Sequence, residues 1–309
     1  MSFLYKGERM KKFVIVTDSG SDLSAELSKK YNIEYVPMHY IHENNDYESH
    51  LDWRSLPAKD FYDILRGGTR IFTAAINITA YTEAFEGFLQ QGYDILSIST
   101  PAVLSTSVNS SYAARDALLE KYPDAKIICI DAKRASAGLA MQVVRAAQLR
   151  DEGKTIEEVA QWITDNRQFI HQEGSVDKLH WLKQAGRISF MSAFFGDLIG
   201  IKPLIIADVH GYNVAIDKVK GRKVSLEKVA ERVARDYIPN DMGIFITHAD
   251  CLDDVMLLKE KIQSKIDIAD DKFTFNYIGP VIGASVGPGM FGVYFYGEEI
   301  TFDSLANKK

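Results

Sequence analysis

Two cysteines in 309 residues leave nothing from which to build a disulfide framework. Cys129 and Cys251 stand far apart, and neither belongs to a CxxC pair or a Cys/His cluster of the kind that holds structural zinc. Both are expected to fill core space in a protein of a reducing compartment. Long apolar runs are missing as well. None approaches the roughly 18 residues of a membrane span. The opening MSFLYKGERMKK lacks the apolar region of a signal peptide. Met10 offers a native start, with residues 1–9 as an upstream extension. Positive charge is in short supply: 36 Lys and Arg against 42 Asp and Glu give a net charge of −6. That excludes the basic field expected of a protein that grips nucleic acid or an anionic membrane surface. There is no P-loop, no GxGxxG after a strand, no HExxH and no GxSxG. The expectation is a cytoplasmic protein with no cofactor, no metal, no nucleic acid and no stable membrane insertion.

What is present is a globular composition, 46% apolar and 25% charged, long enough for two domains or one large one. In the first half, short apolar strands at 12–17, 34–40, 94–99 and 126–131 alternate with amphipathic helices at 24–31, 57–66, 79–91, 107–121, 135–151 and 155–168. Such alternation predicts an α/β domain whose parallel sheet is flanked by helices, with ligands at the carboxyl ends of its strands. The loops after 17, near 73 and after 99 should then gather on one edge. Thr155 and Glu158 form a capping box that opens the last of these helices. The polar stretch NRQFIHQEGS marks a boundary near 165–175, giving domains 10–170 and 171–309. The second half reads as α+β, with a mixed or antiparallel sheet. Its helical SVDKLHWLKQAG leads into the largely apolar GRISFMSAFFGDLIGIKPLI. Strands follow near 203–208, 212–219, 243–248, 274–279 and 291–296, with helices at 225–237 and 252–264.

Hydroxyl groups are dense where strands give way to helices. The first strand ends in Thr17, Asp18 and Ser19. STPAVLSTSVNSSYAA carries Ser99, Thr100, Ser105, Thr106, Ser107, Ser110 and Ser111, and Thr73 sits in a loop before another helix. Singly these are ordinary helix caps. Together they suit a carboxylate or phosphate at a helix N-terminus. GASVGPG, at 283–289, specifies a tight turn, either plain or with N–H groups facing an anion. His248 and Asp250 leave open a hydrolase or transferase that pairs the histidine with a serine. Asp18 and Asp22 have too few neighbouring ligands to form a metal site, and Asp22 fits the turn into the helix. Arg187, Lys202, Lys218, Lys220, Arg222 and Lys223 are either a solvated face or a contact for an acidic partner.

In order and spacing, these segments resemble the DegV family of bacterial fatty-acid-binding proteins, some of which are the lipid-binding subunits of fatty acid kinase. VTDSGSDLS resembles the family's opening strand and loop, and FTAAINITAYTEAFEGFLQQGYDILSI stands where it has TSQPS and a helix. LSTSVNSSYAA resembles LSGTYxSA. LKQAGRIS, IKPLI and KGRKVSLEKV resemble GGRIS, IKPIL and RGRKKA. ITHADCLDD and IGASVGPGMFGVYF match the closing strands, the latter in the place of GTHTGPGALG. The resemblance spans about 12 to 297.

It implies two α/β domains with a long-chain fatty acid (palmitate, stearate or oleate) buried between them, and a non-catalytic role. Thr73 and Ser105 take the places of the family's headgroup-binding threonine and serine. Thr17, Asp18 and Ser19 are placed beside the pocket. Arg187, Lys202 and Arg222 fall in segments implied to dock a partner kinase. TSQPS has become Thr73-Ala74-Ala75-Ile76-Asn77, Pro101 and Ala102 replace two serines, and Ser285 replaces the family's histidine. Thr73, Ser105 and Ser285 would then supply three neutral donors. A member that has lost its lipid and keeps only a partner is the remaining alternative.

Overall fold

The structure, a computed structural model, describes residues 12–178, 180–188 and 200–306. The expected start at Met10 and much of the apolar segment after Arg187 lie outside the described residues. Strand β1 (Phe13–Asp18) is buried along its whole length, as befits a strand covered on both faces. It lies between β2 (Ile33–Val36) and β6 (Asp94–Ser99), and β7 (Ile127–Asp131) completes a parallel sheet of order β2-β1-β6-β7. The helices α1 (Ala25–Lys30), α2 (Ala58–Arg66), α3 (Ile78–Gln90), α4 (Ser107–Lys121), α5 (Ala137–Asp151) and α6 (Ile156–Asn166) agree with the sequence expectation to within a few residues. The capping box of α6 is formed: Glu158 N–H reaches Thr155 Oγ1 at 3.2 Å and Thr155 N–H reaches the Glu158 carboxylate at 2.8 Å.

The stretch at 34–40, read as one strand, is two. Pro37 offers no N–H to continue the ladder. The chain leaves the parallel sheet at Val36 and starts β3 (His39–His42), which pairs with β4 (Asn45–Glu48) and β5 (Phe72–Ala74) in a small antiparallel sheet. Thr73, expected in a loop, lies in β5 opposite Tyr40. The polar stretch at the expected boundary is itself regular structure. One turn after α6, Ile170–Ser175 forms β8, an inner strand of a mixed six-stranded sheet. Its order is β10-β9-β8-β13-β11-β12, built with β9 (Ile201–Ala207), β10 (Asn213–Lys220), β11 (Ile244–His248), β12 (Phe273–Tyr277) and β13 (Phe291–Tyr296). Only β11 and β12 run parallel in it. Helices α7 (His180–Ala185), α8 (Arg222–Asp236), α9 (Leu252–Gln263) and α10 (Pro280–Val286) complete the chain.

Helix α5 explains how the two sheets share one molecule. Its sequence AGLAMQVVRAAQLRD is small and apolar around most of its circumference, and it is buried to match. It packs on β1 and β6 of the parallel sheet and on β8, β11 and β13 of the mixed one. The approach is tight: a Cβ added to Gly138 would lie 2.8 Å from Arg134 Cβ and 3.1 Å from Tyr294 Cδ1. At the N-terminus of α5, Ser136 has φ 53° and ψ −140°, a backbone state costly for a non-glycine residue. It is held there by its N–H bond to Gly20 O at 2.8 Å and by its hydroxyl, which donates to the Asp22 carboxylate. The other Asp22 oxygen accepts from Gly279 N–H at 2.8 Å, and the Asp22 carbonyl accepts from Asn276 Nδ2. One aspartate thus ties the turn after β1 to α5 and to the entry of α10.

Burial pushes the Asp22 carboxyl up to about 7, against the opposing effect of its donors Ser136 and Gly279. The folded chain therefore holds a proton that the unfolded chain releases near pH 4. The stability this gives is complete at low pH and is lost as pH rises toward 7 and beyond. Asp22→Asn should flatten that decline. Denaturant midpoints at pH 4.5 and pH 8 should show the wild type losing more stability across the interval than the variant, by on the order of 3 kcal/mol.

Candidate functional site

A cavity of about 390 Å³ opens where the carboxyl edge of the parallel sheet faces the mixed sheet and α10. It falls in the range of small-molecule pockets. The regions expected to converge do so: Gly20, Thr73 in β5, Thr100 and residues 102–106 all contribute to its wall. Met38, Leu104, Val176, Ile205, Ile282 and Met290 are among its apolar residues. Helix α10 supplies Val281, Ile282, Ser285 and Val286 to one side.

Thr73, Ser105 and Ser285, from three separate elements, all line this cavity. Thr73 faces inward because its β5 neighbour Phe72 is turned outward, 51% exposed, in the alternation of a strand. Ser105 Oγ lies 2.9 Å from Ser107 Oγ, which accepts the Ile76 N–H at 3.1 Å. This fastens the β5–α3 loop to the start of α4. Ser285 Oγ has only a 3.4 Å contact to the Val281 carbonyl, as expected for a serine inside a helix. Arg187 also lines the cavity, its guanidinium near the Leu104 carbonyl at 3.4 Å.

Thr17, Asp18 and Ser19 are not among the lining residues. They sit one layer behind. Thr17 Oγ1 donates to Ile98 O at 2.9 Å, and Ser19 Oγ accepts Met38 N–H at 2.9 Å. Asp18 accepts from Gly20 N–H, Thr100 N–H and Thr100 Oγ1 at 2.7–2.9 Å. Burial raises its carboxyl to about 6, with the Thr100 and Gly20 bonds opposing. Their partners Gly20, Met38 and Thr100 form the wall itself.

The hydroxyl-rich stretch divides the same way. Ser99 pairs with Tyr81 and Ser111 with its own helix backbone, whereas Thr100, Ser105 and Thr106 reach the cavity. Lys202 and Arg222 stand away from it. Lys202 is bound to Asp177. Arg222 pairs with Asp254 at 2.9 Å and lies 4.6 Å over the Phe291 ring.

Other readings meet specific obstacles. GASVGPG is not one turn: its first four residues lie in α10, and the reversal is confined to Gly287 and Gly289, at φ 73° and 80°. An anion there would find Gly287 N–H already on Gly283 O and Gly289 N–H on Ala249 O, each at 2.8 Å. His248 ends β11 with its ring 4.4 Å from that of Tyr277, and burial lowers its basicity. Its Nδ1 accepts the Cys251 N–H, and among the described residues no serine hydroxyl bonds to it. His171, Glu173 and Asp236 lie close enough to suggest a metal, but Arg232 already holds Glu173 through two bonds of 2.6 and 2.8 Å. Burial raises the Glu173 carboxyl against the pull of Arg232. The sequence reading missed Asp22, Ser136 and Gly279 as a unit, because its members are up to 257 positions apart.

The sequence profile of the DegV family matches residues 12–298. The chain belongs to the DegV family. A DegV domain-containing protein of Clostridium perfringens is 38% identical, over 94% of this chain and 99% of that one. A DegV family protein from Thermus thermophilus, whose structure is described as fatty acid binding, superposes with a TM-score of 0.82 at 24% identity, covering 93% and 100% of the two chains. One from Eubacterium eligens, loaded with heptadecanoic acid, gives 0.80 at 24% identity with the same coverage. These likenesses establish the two-domain DegV fold. Among the described residues, no helix is long and apolar enough to cross a membrane.

The packing of α7 against α10, which contributes Leu182 and Val286 to the cavity wall, depends on Gly287. A Cβ at Gly287 would fall 2.2 Å from the Trp181 ring in a left-handed backbone state. Gly287→Ala should cost about 2–4 kcal/mol, read as a lowered chemical-denaturation midpoint. A midpoint unchanged from wild type would contradict the packing of α7 against α10.

Proposed function

We propose that this DegV protein binds one long-chain fatty acid in the 390 Å³ cavity and presents its carboxylate to a partner kinase, without catalysing a reaction itself. The observation that carries this reading is the convergence of Thr73, Ser105 and Ser285 on an otherwise largely apolar cavity. Burying a carboxylate costs several kcal/mol unless it is hydrogen-bonded. Three hydroxyls offset that cost. Each buried methylene contributes about 0.8 kcal/mol, so the tail supplies affinity and the head supplies orientation. Binding of this kind needs neither nucleophile nor general base. Solved DegV structures with fatty acids in them support the choice of ligand class. Palmitate, stearate and oleate are the acids to offer. A kinase would approach the face carrying Arg187, beside the hydroxyl residues. Lys202 and Arg222 are committed to Asp177 and Asp254, and their part in docking would require exchange of those pairs.

Delipidated protein titrated with palmitate, stearate and oleate should bind one equivalent. Thr73→Val and Ser105→Ala should each weaken binding by about 1–2 kcal/mol, the loss of a hydrogen bond to a charged group. Undiminished affinity in both variants would move the head group elsewhere. No uptake by the wild type would refute the reading.

A further inference from the structure

The three hydroxyls are neutral, and the head group they would meet carries a full negative charge. Its counter-charge must come from elsewhere. A second chamber of about 110 Å³ adjoins the cavity and shares Thr73, Arg187 and Ser285 with it. Arg70 and Arg187 line this chamber, and no aspartate or glutamate does among the described residues.

That pairing is unusual in this chain. The other described arginines on the surface are matched to carboxylates, as in Arg54–Asp52, Arg66–Asp63, Arg145–Glu152 and Arg150–Asp151. Arg134 and Arg167 donate to main-chain carbonyls instead. Among the described residues Arg187 donates only to the Leu104 and Ala185 carbonyls, and Arg70 has no hydrogen-bonded partner. Arg70 is nonetheless positioned. Its guanidinium lies 4.3 Å over the Phe72 ring, which accounts for an aromatic side chain left half-exposed at the chamber. Stacking covers a face of the guanidinium and leaves its in-plane N–H groups free to donate.

Resting on the fatty-acid reading above, we infer that Arg70, together with Arg187, supplies the positive charge that holds the anionic head group of the bound lipid. Arg70 is then a ligand-binding residue three positions before Thr73, delivered by the same strand entry. Charge-assisted hydrogen bonds are roughly twice as strong as neutral ones, so these arginines set the preference for an acid over an uncharged lipid of the same tail.

The test compares oleate with oleyl alcohol, both delivered from cyclodextrin to the delipidated full-length chain. Arg70→Gln should weaken oleate about tenfold and leave oleyl alcohol within about twofold, with Arg70→Lys recovering most of the loss. Oleate affinity unchanged in both Arg70→Gln and Arg187→Gln would overturn the inference while leaving the fatty-acid reading intact. So would an equal loss for acid and alcohol. A wild-type protein that takes up neither ligand would overturn both.

Discussion

The Asp22 carboxylate joins three segments that the chain itself keeps apart. It receives the Ser136 hydroxyl from the start of α5 and the Gly279 N–H from the entry of α10, and it sits in a left-handed turn at φ 49° directly after the first strand. Burial raises this carboxyl, and with fewer donors it would be raised still further. With them, it fixes where α10 begins, and α10 supplies an entire side of the cavity. Ser136 is strained for the same reason. Its backbone state persists because Gly20 and Asp22 hold both ends of the residue. The cavity is therefore bounded by a polar clamp that consumes its own donors. The hydroxyls left over for a ligand are those outside the clamp.

This division of labour separates residues of similar appearance. Thr17, Asp18 and Ser19 are as polar as Thr73, Ser105 and Ser285, yet every oxygen of the first group has a partner within the protein. Among the described residues Thr73 makes no side-chain hydrogen bond of its own, and Ser285 has one long contact. Polar groups already satisfied build a wall; those with spare capacity receive a guest. The tail side follows from the layer architecture. The cavity lies where the carboxyl edge of the parallel sheet faces the mixed sheet, and Met38, Ile205, Ile282 and Met290 make it apolar.

Much of this could be read along the chain because it is local. Alternating apolar strands and amphipathic helices gave the parallel sheet, the capping box at Thr155 gave the start of α6, and hydroxyls at strand ends pointed to the edge that binds. The failures are non-local. Residues 34–40 have the composition of one strand, and only the pairing of His39–Ile41 with Phe72–Ala74 shows that Pro37 divides two sheets. The polar NRQFIHQEGS has no apolar alternation to announce a strand. β8 is recruited by its neighbours β9 and β13, with Glu173 tolerated inside because Arg232 reaches it from α8. GASVGPG looks like a turn throughout because three glycines and a proline dominate its composition. Packing against Tyr62 instead keeps Gly283 in a helix, where a Cβ would lie 2.7 Å from the tyrosine hydroxyl.

Native mass spectrometry of the protein as purified, followed by the same sample denatured, tests most directly the claim that this cavity exists to hold a lipid. The account predicts a native mass exceeding that of the chain by one fatty acid, with the excess lost on denaturation and recovered as a free acid. A chain mass without adduct, unaltered after incubation with palmitate, stearate and oleate, would contradict it.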